Sequence, residues 1–362
     1  MELGFLRPLY DEIGEYASVY LDTDRVHDNA AEAIAVRWHD ARDRLTADGA
    51  DPDTLDAVAE VIGDPDEVAT GHAVFGRAGA VTFSGVLDAP PRREIARLAP
   101  LPHVMPLLAQ HRPPIPHLRV SATRVGGEIV AIGGSGQGWR DWVAGRQWPV
   151  HKTSVGGWSQ DRFQRSVEET WAENARQLAA EVVSVADRIK ARHVIVGGDV
   201  RARTLLLEHL PKLLRESAAV VDEEVNADSS ALAEAAGRAL GQWADRDVRE
   251  RFDDWQTQRA HGRGVQGLAP VMTAFRNGQV SDLFVVDNPT STATAWIGPD
   301  GQALAASEEE LADWGVAEPV SDRADAALAR AVAHTEAELH FSAPGSGRDR
   351  RPGRVRRFRA SA

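Results

Sequence analysis

The sequence has no cysteine, which excludes disulfides, thiolate metal sites and cysteine nucleophiles. It also lacks a long apolar run: nothing approaches the roughly 18 residues that a membrane-spanning helix needs. The opening Met1-Glu2-Leu3-Gly4-Phe5-Leu6-Arg7 has no basic start, no apolar stretch and no small-residue cleavage site, so no signal peptide is expected. These absences fit a cytoplasmic protein with no membrane partner. The histidines, such as His103, His111, His117 and His151, show no metal-ligand spacing, so no metal and no cofactor are expected. No internal repeat is visible.

What is present is a chain of 362 residues, 43% hydrophobic and 26% charged. That is an ordinary soluble composition, and it is too long for one hydrophobic core, so two or three domains are expected. The formal net charge is -13, which at face value argues against a nucleic-acid partner. The charge is unevenly spread. Residues 1–117 carry 10 basic and 20 acidic side chains, residues 118–225 carry 15 and 14, and residues 226–347 carry 9 and 19. Residues 348–362 carry 7 and 1. Only the middle segment and the tail could approach RNA without strong repulsion.

The first segment begins with a strand-like run at Ala17-Ser18-Val19-Tyr20-Leu21. A helix over 29–48 follows, with Ala30, Ile34, Trp38 and Leu45 on one face. Asp51-Pro52-Asp53 starts a second helix. The runs His72–Phe75 and Ala80–Phe83 flank Gly76-Arg77-Ala78-Gly79 and read as a hairpin. Prolines crowd residues 100–118, which places a domain boundary there. The second segment opens with strands at 119–125 and 128–132 joined by Gly126-Gly127. Residues 133–160 are rich in Gly and Trp and have no period. A helix starts near Gln160, with Phe163, Val167, Trp171, Leu178, Val182, Val185 and Ile189 along one stripe. Next come a strand at 193–198, a helix over 203–214 and a strand at 218–221. This order predicts an α/β domain with a mixed sheet. The third segment reads as two helices over 229–259, a helix over 267–277, strands at 282–286 and 295–297, and a helix over 323–341.

Two glycine-rich stretches invite chemistry. Gly133-Gly134-Ser135-Gly136-Gln137-Gly138 looks like a phosphate loop after a strand, but no periodic helix follows it directly, which disfavours a mononucleotide site. The other stretch is His151-Lys152-Thr153-Ser154-Val155-Gly156-Gly157-Trp158-Ser159-Gln160-Asp161-Arg162-Phe163-Gln164-Arg165. It resembles the catalytic loop of archaeal and eukaryotic release factors, where a Gly-Gly-Gln triplet precedes a helix carrying Arg-Phe-x-Arg. Val194–Asp199, followed by a helix to Leu210-Pro211, resembles the second half of the same central domain. Gly267–Met272 through Gly278–Val286 resembles that family's C-terminal domain. The resemblance covers roughly residues 118–300 and is weak over the first 115. It points to bacterial members of the release factor and Pelota family, including Balon-type hibernation factors and relatives of the Vms peptidyl-tRNA hydrolases. One departure stands out: Trp158 and Ser159 separate Gly157 from Gln160.

The resemblance implies an α/β protein of three consecutive domains: an N-terminal domain over 1–117, a central ribonuclease-H-like domain over 118–225 and a C-terminal L7Ae-like domain over 226–343. A basic tail spans 344–362. It implies the ribosome as partner, with ribosomal RNA, the A site and the peptidyl transferase centre as contacts, in hibernation or rescue. It leaves open delivery by an elongation-factor GTPase, and DNA is not expected. The rival readings are a peptidyl-tRNA hydrolase and a non-ribosomal interaction protein with the same fold.

Hydrolysis of peptidyl-tRNA needs a placed water and a donor for the developing oxyanion. Gly156 and Gly157 would permit close approach to RNA, and Gln160 would supply a backbone donor. The same three residues would carry catalysis if there is any. A Gln160 at or inside the first helical turn loses the freedom such chemistry needs, so binding is favoured over catalysis. A plain reading also exists, with Gly156-Gly157 as a turn, Ser159 as a helix cap and Trp158 over the core. The RNA-contact candidates are His151, Lys152, Trp158, Arg162 and Arg165, with the tail arginines Arg350, Arg351, Arg354, Arg356 and Arg357. Trp139, Trp142, Trp148 and Trp158 have core packing as their ordinary explanation and a base-stacking surface as the other.

Overall fold

The computed structural model describes residues 1–11, 13–27, 29–62, 70–111, 115–134, 138–144, 157–222, 229–341 and 359–361, and the side chains of 157–164 and 359–361 are outside that description. The chain divides into two compact units, residues 1–112 with 248–362, and residues 113–247. A short 3-10 helix, Gly4–Leu9, comes first. The N-terminal third then runs β1 (Tyr16–Asp22), α1 (Ala30–Ala47), α2 (Pro52–Ile62), β2 (Gly71–Arg77), β3 (Ala80–Leu87), β4 (Ile95–Ala99) and α3 (Met105–Gln110). The middle holds β5 (His117–Thr123), β6 (Gly126–Ile132), β7 (Gly138–Ala144), α4 (Gly157–Ile189), β8 (His193–Gly198), α5 (Val200–His209), α6 (Lys212–Glu216) and β9 (Ala218–Val220). The C-terminal third holds α7 (Ser230–Ala260), β10 (Gly264–Gln266), α8 (Leu268–Arg276), β11 (Asp282–Val285), β12 (Thr294–Ile297), β13 (Leu304–Ala305) and α9 (Glu308–Asp313). It ends with β14 (Val320–Arg323), α10 (Ala324–His334), β15 (Glu338–Phe341) and β16 (Arg359–Ser361). This is the α/β class that the segment pattern predicts.

In the first unit β1 lies inside a sheet of order β3-β2-β1-β4, with both of its neighbours antiparallel. Its side chains alternate between two cores, as strand geometry requires. Ala17, Val19 and Leu21 pack with Ile34, Leu45, Leu55 and Val58 of α1 and α2. Tyr20 turns to the opposite core, which it shares with Phe75, Leu101, Phe275, Leu283 and the alanine-rich α10. That second core draws on both ends of the chain. Every residue from Ala324 to Ala333 is buried, because alanines let neighbouring elements approach the helix closely. The exception in size is Arg330, 1% exposed. Its Nη1 and Nη2 donate to the carbonyls of Gly298 at 2.8 Å and Pro299 at 2.6 Å, which satisfies part of a buried charge.

A buried carboxylate ties the two thirds of this unit together. Asp322 pairs with Arg97 of β4. Its other oxygen accepts the Leu101 N–H at 2.8 Å, and the Arg323 N–H donates to the first at 2.6 Å. Two further sheets belong to this unit, of order β10-β16-β11-β15 and β13-β12-β14.

The second unit is a sheet of order β7-β6-β5-β8-β9. β5, β8 and β9 run parallel, while β6 and β7 are antiparallel to their neighbours. One face carries Leu118, Val120, Ala122, Ile129, Val194 and Val196 under Leu178, Val182 and Val185 of α4 and Leu206 of α5. The other face carries Val130 and Ile195 under Leu232 and Ala236 of α7. A sheet covered on both faces explains the continuous apolar runs of β5 and β8.

Several elements depart from the sequence reading. β4 and β7 were not expected: both are edge strands without clean alternation. The helix expected over 203–214 divides at Pro211 into α5 and α6, since proline cannot donate within a helix. The two helices expected over 229–259 are the single helix α7. The helix expected over 323–341 stops at His334, and Glu338–Phe341 is β15, paired in parallel with β11. Within the basic tail, Arg359–Ser361 pairs with both β10 and β11. One break between the units lies at 112/113. The other break lies within α7 at 247/248.

Two outcomes follow from this packing. Gly198 ends β8 at φ +101, and a Cβ there would overlap the Ala122 carbonyl and lie 2.8 Å from the Ala122 nitrogen. Gly198→Ala is therefore expected to cost about 2–4 kcal/mol in chemical denaturation; a loss under about 1 kcal/mol would contradict the geometry. His103 is held neutral by burial, its pKa lowered from 6.5 to about 4, with Arg323, Arg97 and Arg93 pushing the same way. The folded state thus binds fewer protons than the unfolded one between those values. Stability present above pH 6.5 declines by up to about 3 kcal/mol as pH falls to 4. His117 and His193 shift in the same direction through burial, so His103→Gln is expected to flatten this acid limb in part. An unchanged limb in the variant would count against the account.

Candidate functional site

The glycine-glutamine segment meets the structure at the start of α4. Gly157, Trp158, Ser159, Gln160 and Arg162 all fall in the helix. Gln160 is its fourth residue, where backbone N–H groups begin to be used within the helix. His151, Lys152 and Gly156 lie outside the described residues, as do the tail arginines Arg350, Arg351, Arg354, Arg356 and Arg357 and the candidate loop residues 135–137. Arg165 is exposed.

The burial of α4 changes sharply along its length. None of residues 165–173 is buried. From Asn174 onward the inner stripe is buried, through Ala175, Leu178, Ala179, Val182, Val185 and Ala186. The reason is the underlying strand: Leu178 lies directly against Gly127 of β6, where any Cβ would collide with it. From Gly157 to Asn174 a helix rises about 25 Å. The first half of α4 thus carries the Gly157–Gln160 segment well away from the packed core of this unit.

The foot of that free half is a dense polar knot. The Arg124 guanidinium lies 4.7 Å from the centre of the Trp171 ring. Asn174 Nδ2 donates to the Arg124 carbonyl at 2.9 Å, and Arg124 Nε donates to Asp199 Oδ2 at 3.0 Å. Asp199 Oδ1 accepts the N–H groups of Arg201 and Ala202, both at 3.0 Å, so it caps α5. Its own N–H donates to the Ala122 carbonyl at 2.9 Å. These groups gather at the carboxyl ends of β5 and β8, the edge at which open α/β sheets hold ligands. Arg124, Trp171 and Asn174 were not singled out as site residues. The signal for Asp199 was present: an Asp between a Gly-Gly strand end and an apolar helix is a capping pattern.

Two of the clustered tryptophans are not core residues. Trp139 and Trp142 lie on the edge strand β7 and are 41% and 55% exposed. Arg188 stacks over Trp139 at 4.5 Å. Core packing therefore fails as the explanation for these two, and a flat aromatic surface beside an arginine is what remains. Trp148 lies outside the described residues.

Asp282, Glu338 and His340 bring ligand-type atoms within 4.8 Å of one another. Arg251 Nη1 already stands 3.3 Å from Asp282 and 3.4 Å from Glu338. The Met1 ammonium is 3.5 Å from Glu338. His340 Nε2 is 2.9 Å from Asp282. This group forms an ion-pair network in which cations from the chain face the carboxylates.

Comparison with known proteins adds an independent line. Residues 116–261 match the family model described as bacterial archaeo-eukaryotic release factor family 2. Two relatives from Mycobacterium tuberculosis, the uncharacterized proteins Rv2629 of strain H37Rv and MT2704 of strain CDC 1551 / Oshkosh, are each 30% identical over 341 residues. The alignment covers 89% of this chain and 88% of each relative. Among solved structures, an archaeal translation termination factor, aRF1, is 17% identical, with 93% of this chain and 90% of that one covered and a TM-score of 0.26. Pelota of Archaeoglobus fulgidus is 15% identical, with 75% and 72% covered and a TM-score of 0.32. The matched region is an α/β unit whose sheet, long helix and capped turn have been described above. The chain belongs to the bacterial archaeo-eukaryotic release factor family.

Asp199 gives this site a direct check. Asp199→Ala removes the α5 cap and the partner of Arg124, and should lower stability by about 1–2 kcal/mol. Asp199→Ser keeps a capping oxygen and should recover most of that. Equal losses in the two variants would show that the cap is not the stabilising element.

Proposed function

We propose that this protein is a cytoplasmic translation factor that enters the ribosomal A site, in hibernation or rescue, and presents the start of α4 to the peptidyl transferase centre. The observation that carries this reading is the run 165–173 of α4, none of it buried, which sets the release-factor-like helix start about 25 Å along the axis from Asn174. Gly156 and Gly157 give close approach to RNA. Trp158 offers a stacking face, and Arg162 and Arg165, with His151 and Lys152, offer phosphate contacts. The positive end of the helix dipole adds to them. The tail arginines Arg350, Arg351, Arg354, Arg356 and Arg357 form a second contact with ribosomal RNA. An acidic protein can bind RNA in this way because its cations are grouped while most of its carboxylates lie in the other segments.

Binding rather than hydrolysis is the proposed role of the segment. In a contiguous Gly-Gly-Gln the glutamine sits on freely turning glycines. Here two residues intervene, and Gln160 is four residues into a helix, with its backbone committed. The division into an N-terminal segment, a central ribonuclease-H-like segment and a C-terminal L7Ae-like segment is part of the same proposal, as is delivery by an elongation-factor GTPase.

Co-sedimentation with 70S particles over a salt series tests the proposal. Binding is expected at low salt and should weaken as salt rises, because phosphate contacts release counterions. Reversing Arg162 and Arg165 to Glu should weaken it by about tenfold or more, while absence of binding at low salt would remove the ribosome from the account. A peptidyl-tRNA hydrolysis assay with wild type and Gln160→Ala separates the two chemistries: turnover that Gln160→Ala abolishes would establish an enzyme in place of a binding factor.

A further inference from the structure

A cleft beside β4 has no part in the ribosomal reading. It measures about 670 Å³ and is lined by Arg44, Arg93, Glu94, Arg97, His103 and Arg323. Arg44 comes from α1, Arg93 and Arg97 from β4 and its lead-in, and Arg323 from the end of β14, so three layers of one compact unit aim guanidinium groups at a common space. Three of the charged groups are matched. Arg97 pairs with Asp322, Arg323 with Asp325, and Glu94 with Arg37 at 3.1 Å. Arg44 and Arg93 make no ion pair among the described residues. The cleft therefore holds two surplus guanidinium groups next to two that are fixed in place.

A second observation is independent of charge. His103 lines the cleft, is 4% exposed, and its Nδ1 has no hydrogen-bond partner. Arg97 Nη1 is likewise buried and unpartnered. The backbone of His103 is held on both sides. Its N–H donates to Ser18 Oγ at 3.0 Å, its carbonyl accepts from the Tyr20 hydroxyl at 2.6 Å, and the Tyr20 ring meets its imidazole edge-on at 6.4 Å. Buried polar atoms without partners are rare and point to a missing one. The Arg97 N–H is a donor, and the imidazole Nδ1 is one in the tautomer that carries its proton there, so an acceptor in the cleft would satisfy both atoms.

We propose that this cleft binds a phosphate-bearing small molecule with two or more linked phosphates, the chemistry shared by inorganic pyrophosphate and a nucleoside triphosphate. Arginine forks match phosphate oxygens in paired hydrogen bonds. The volume lies within the roughly 300–1,000 Å³ of small-molecule pockets and is larger than one phosphate fills. The inward position of His103 and Arg97 requires a compact ligand that enters the cleft. A nucleic-acid backbone passing over the surface would leave both unpartnered.

Isothermal titration calorimetry of the full chain with pyrophosphate, and separately with ATP, at constant ionic strength tests the site. Saturable binding of at least one is expected. The double variant Arg44→Gln/Arg93→Gln removes exposed groups that make no ion pair among the described residues, so it should fold, with an unchanged melting temperature, and bind about tenfold more weakly or worse. Arg238→Gln, on the exposed face of α7, should bind as wild type does. Failure of both ligands to saturate, or equal binding by the double variant, overturns the proposal. So does binding of a short single-stranded RNA that the double variant loses while pyrophosphate and ATP do not bind. Ribosome co-sedimentation of the double variant reports separately on the translation role, so the two proposals can fail independently.

Discussion

The seating of α4 on β6 at Gly127 is the contact on which the functional architecture rests. Leu178 occupies the space a side chain at 127 would take, and that fit fixes where the buried part of the helix ends. The helix is 33 residues long, and its buried stripe begins only at Asn174, after residues 165–173 of which none is buried. The Arg124 knot then sets direction. A cation stacked on Trp171, bonded through its carbonyl to Asn174 and through its guanidinium to Asp199, braces the helix at the point where burial stops. Each bond alone is modest, since Arg124 is half exposed and its ion pair is screened. Their convergence on one turn restrains a long lever.

The other unit solves a different problem, which is to join two distant parts of the chain. Most of the adhesion is apolar, with Tyr20, Phe75 and Leu101 from the N-terminal third meeting Phe275, Leu283 and α10 from the C-terminal third. Apolar contact is not directional. Register comes from Asp322, which is buried and accepts from Arg97, from the Leu101 N–H and from the Arg323 N–H. A buried carboxylate is costly unless its lone pairs are filled, so the two parts can meet in this way only when all three donors arrive. Arg7 adds a similar tie, its Nε donating to the Ala333 carbonyl at 2.9 Å.

The sequence made the periodic elements legible and little else. β1, α1, α2 and the β2–β3 hairpin carry strong patterns and lie where those patterns place them. β4 and β7 escaped notice because edge strands bury little: β7 mixes Trp139 and Trp142 with Arg140 and Asp141 and shows no alternation. The end of α10 was misread because alanine and leucine suit a helix through Leu339, whereas pairing of Glu338–Phe341 with β11 decides the matter by tertiary contact. Of the site, the family motif around Gly157 and Gln160 could be read directly. The knot at its foot could not, since Arg124, Trp171 and Asp199 are distant in sequence and nothing in their spacing joins them. The cleft at β4 was hidden for the same reason: Arg44, Arg97 and Arg323 become neighbours only through folding.

Net charge illustrates how a global quantity misleads about a local surface. At -13 the chain should repel polyanions at long range, and a Debye length near 10 Å at 0.1 M salt sets how far that repulsion reaches. Beyond that distance the total charge scarcely matters, and within it the nearest groups decide. At the first half of α4 the nearest groups include Arg162 and Arg165 on one side and Glu168, Glu169 and Glu173 a turn or two farther on. Charges of both signs meet at each end: Asp161 adjoins Arg162 in sequence, and at the foot Arg176 pairs with Glu173 while Arg124 pairs with Asp199. Charge along this helix is thus set residue by residue, and the total of -13 does not determine what can approach it at short range.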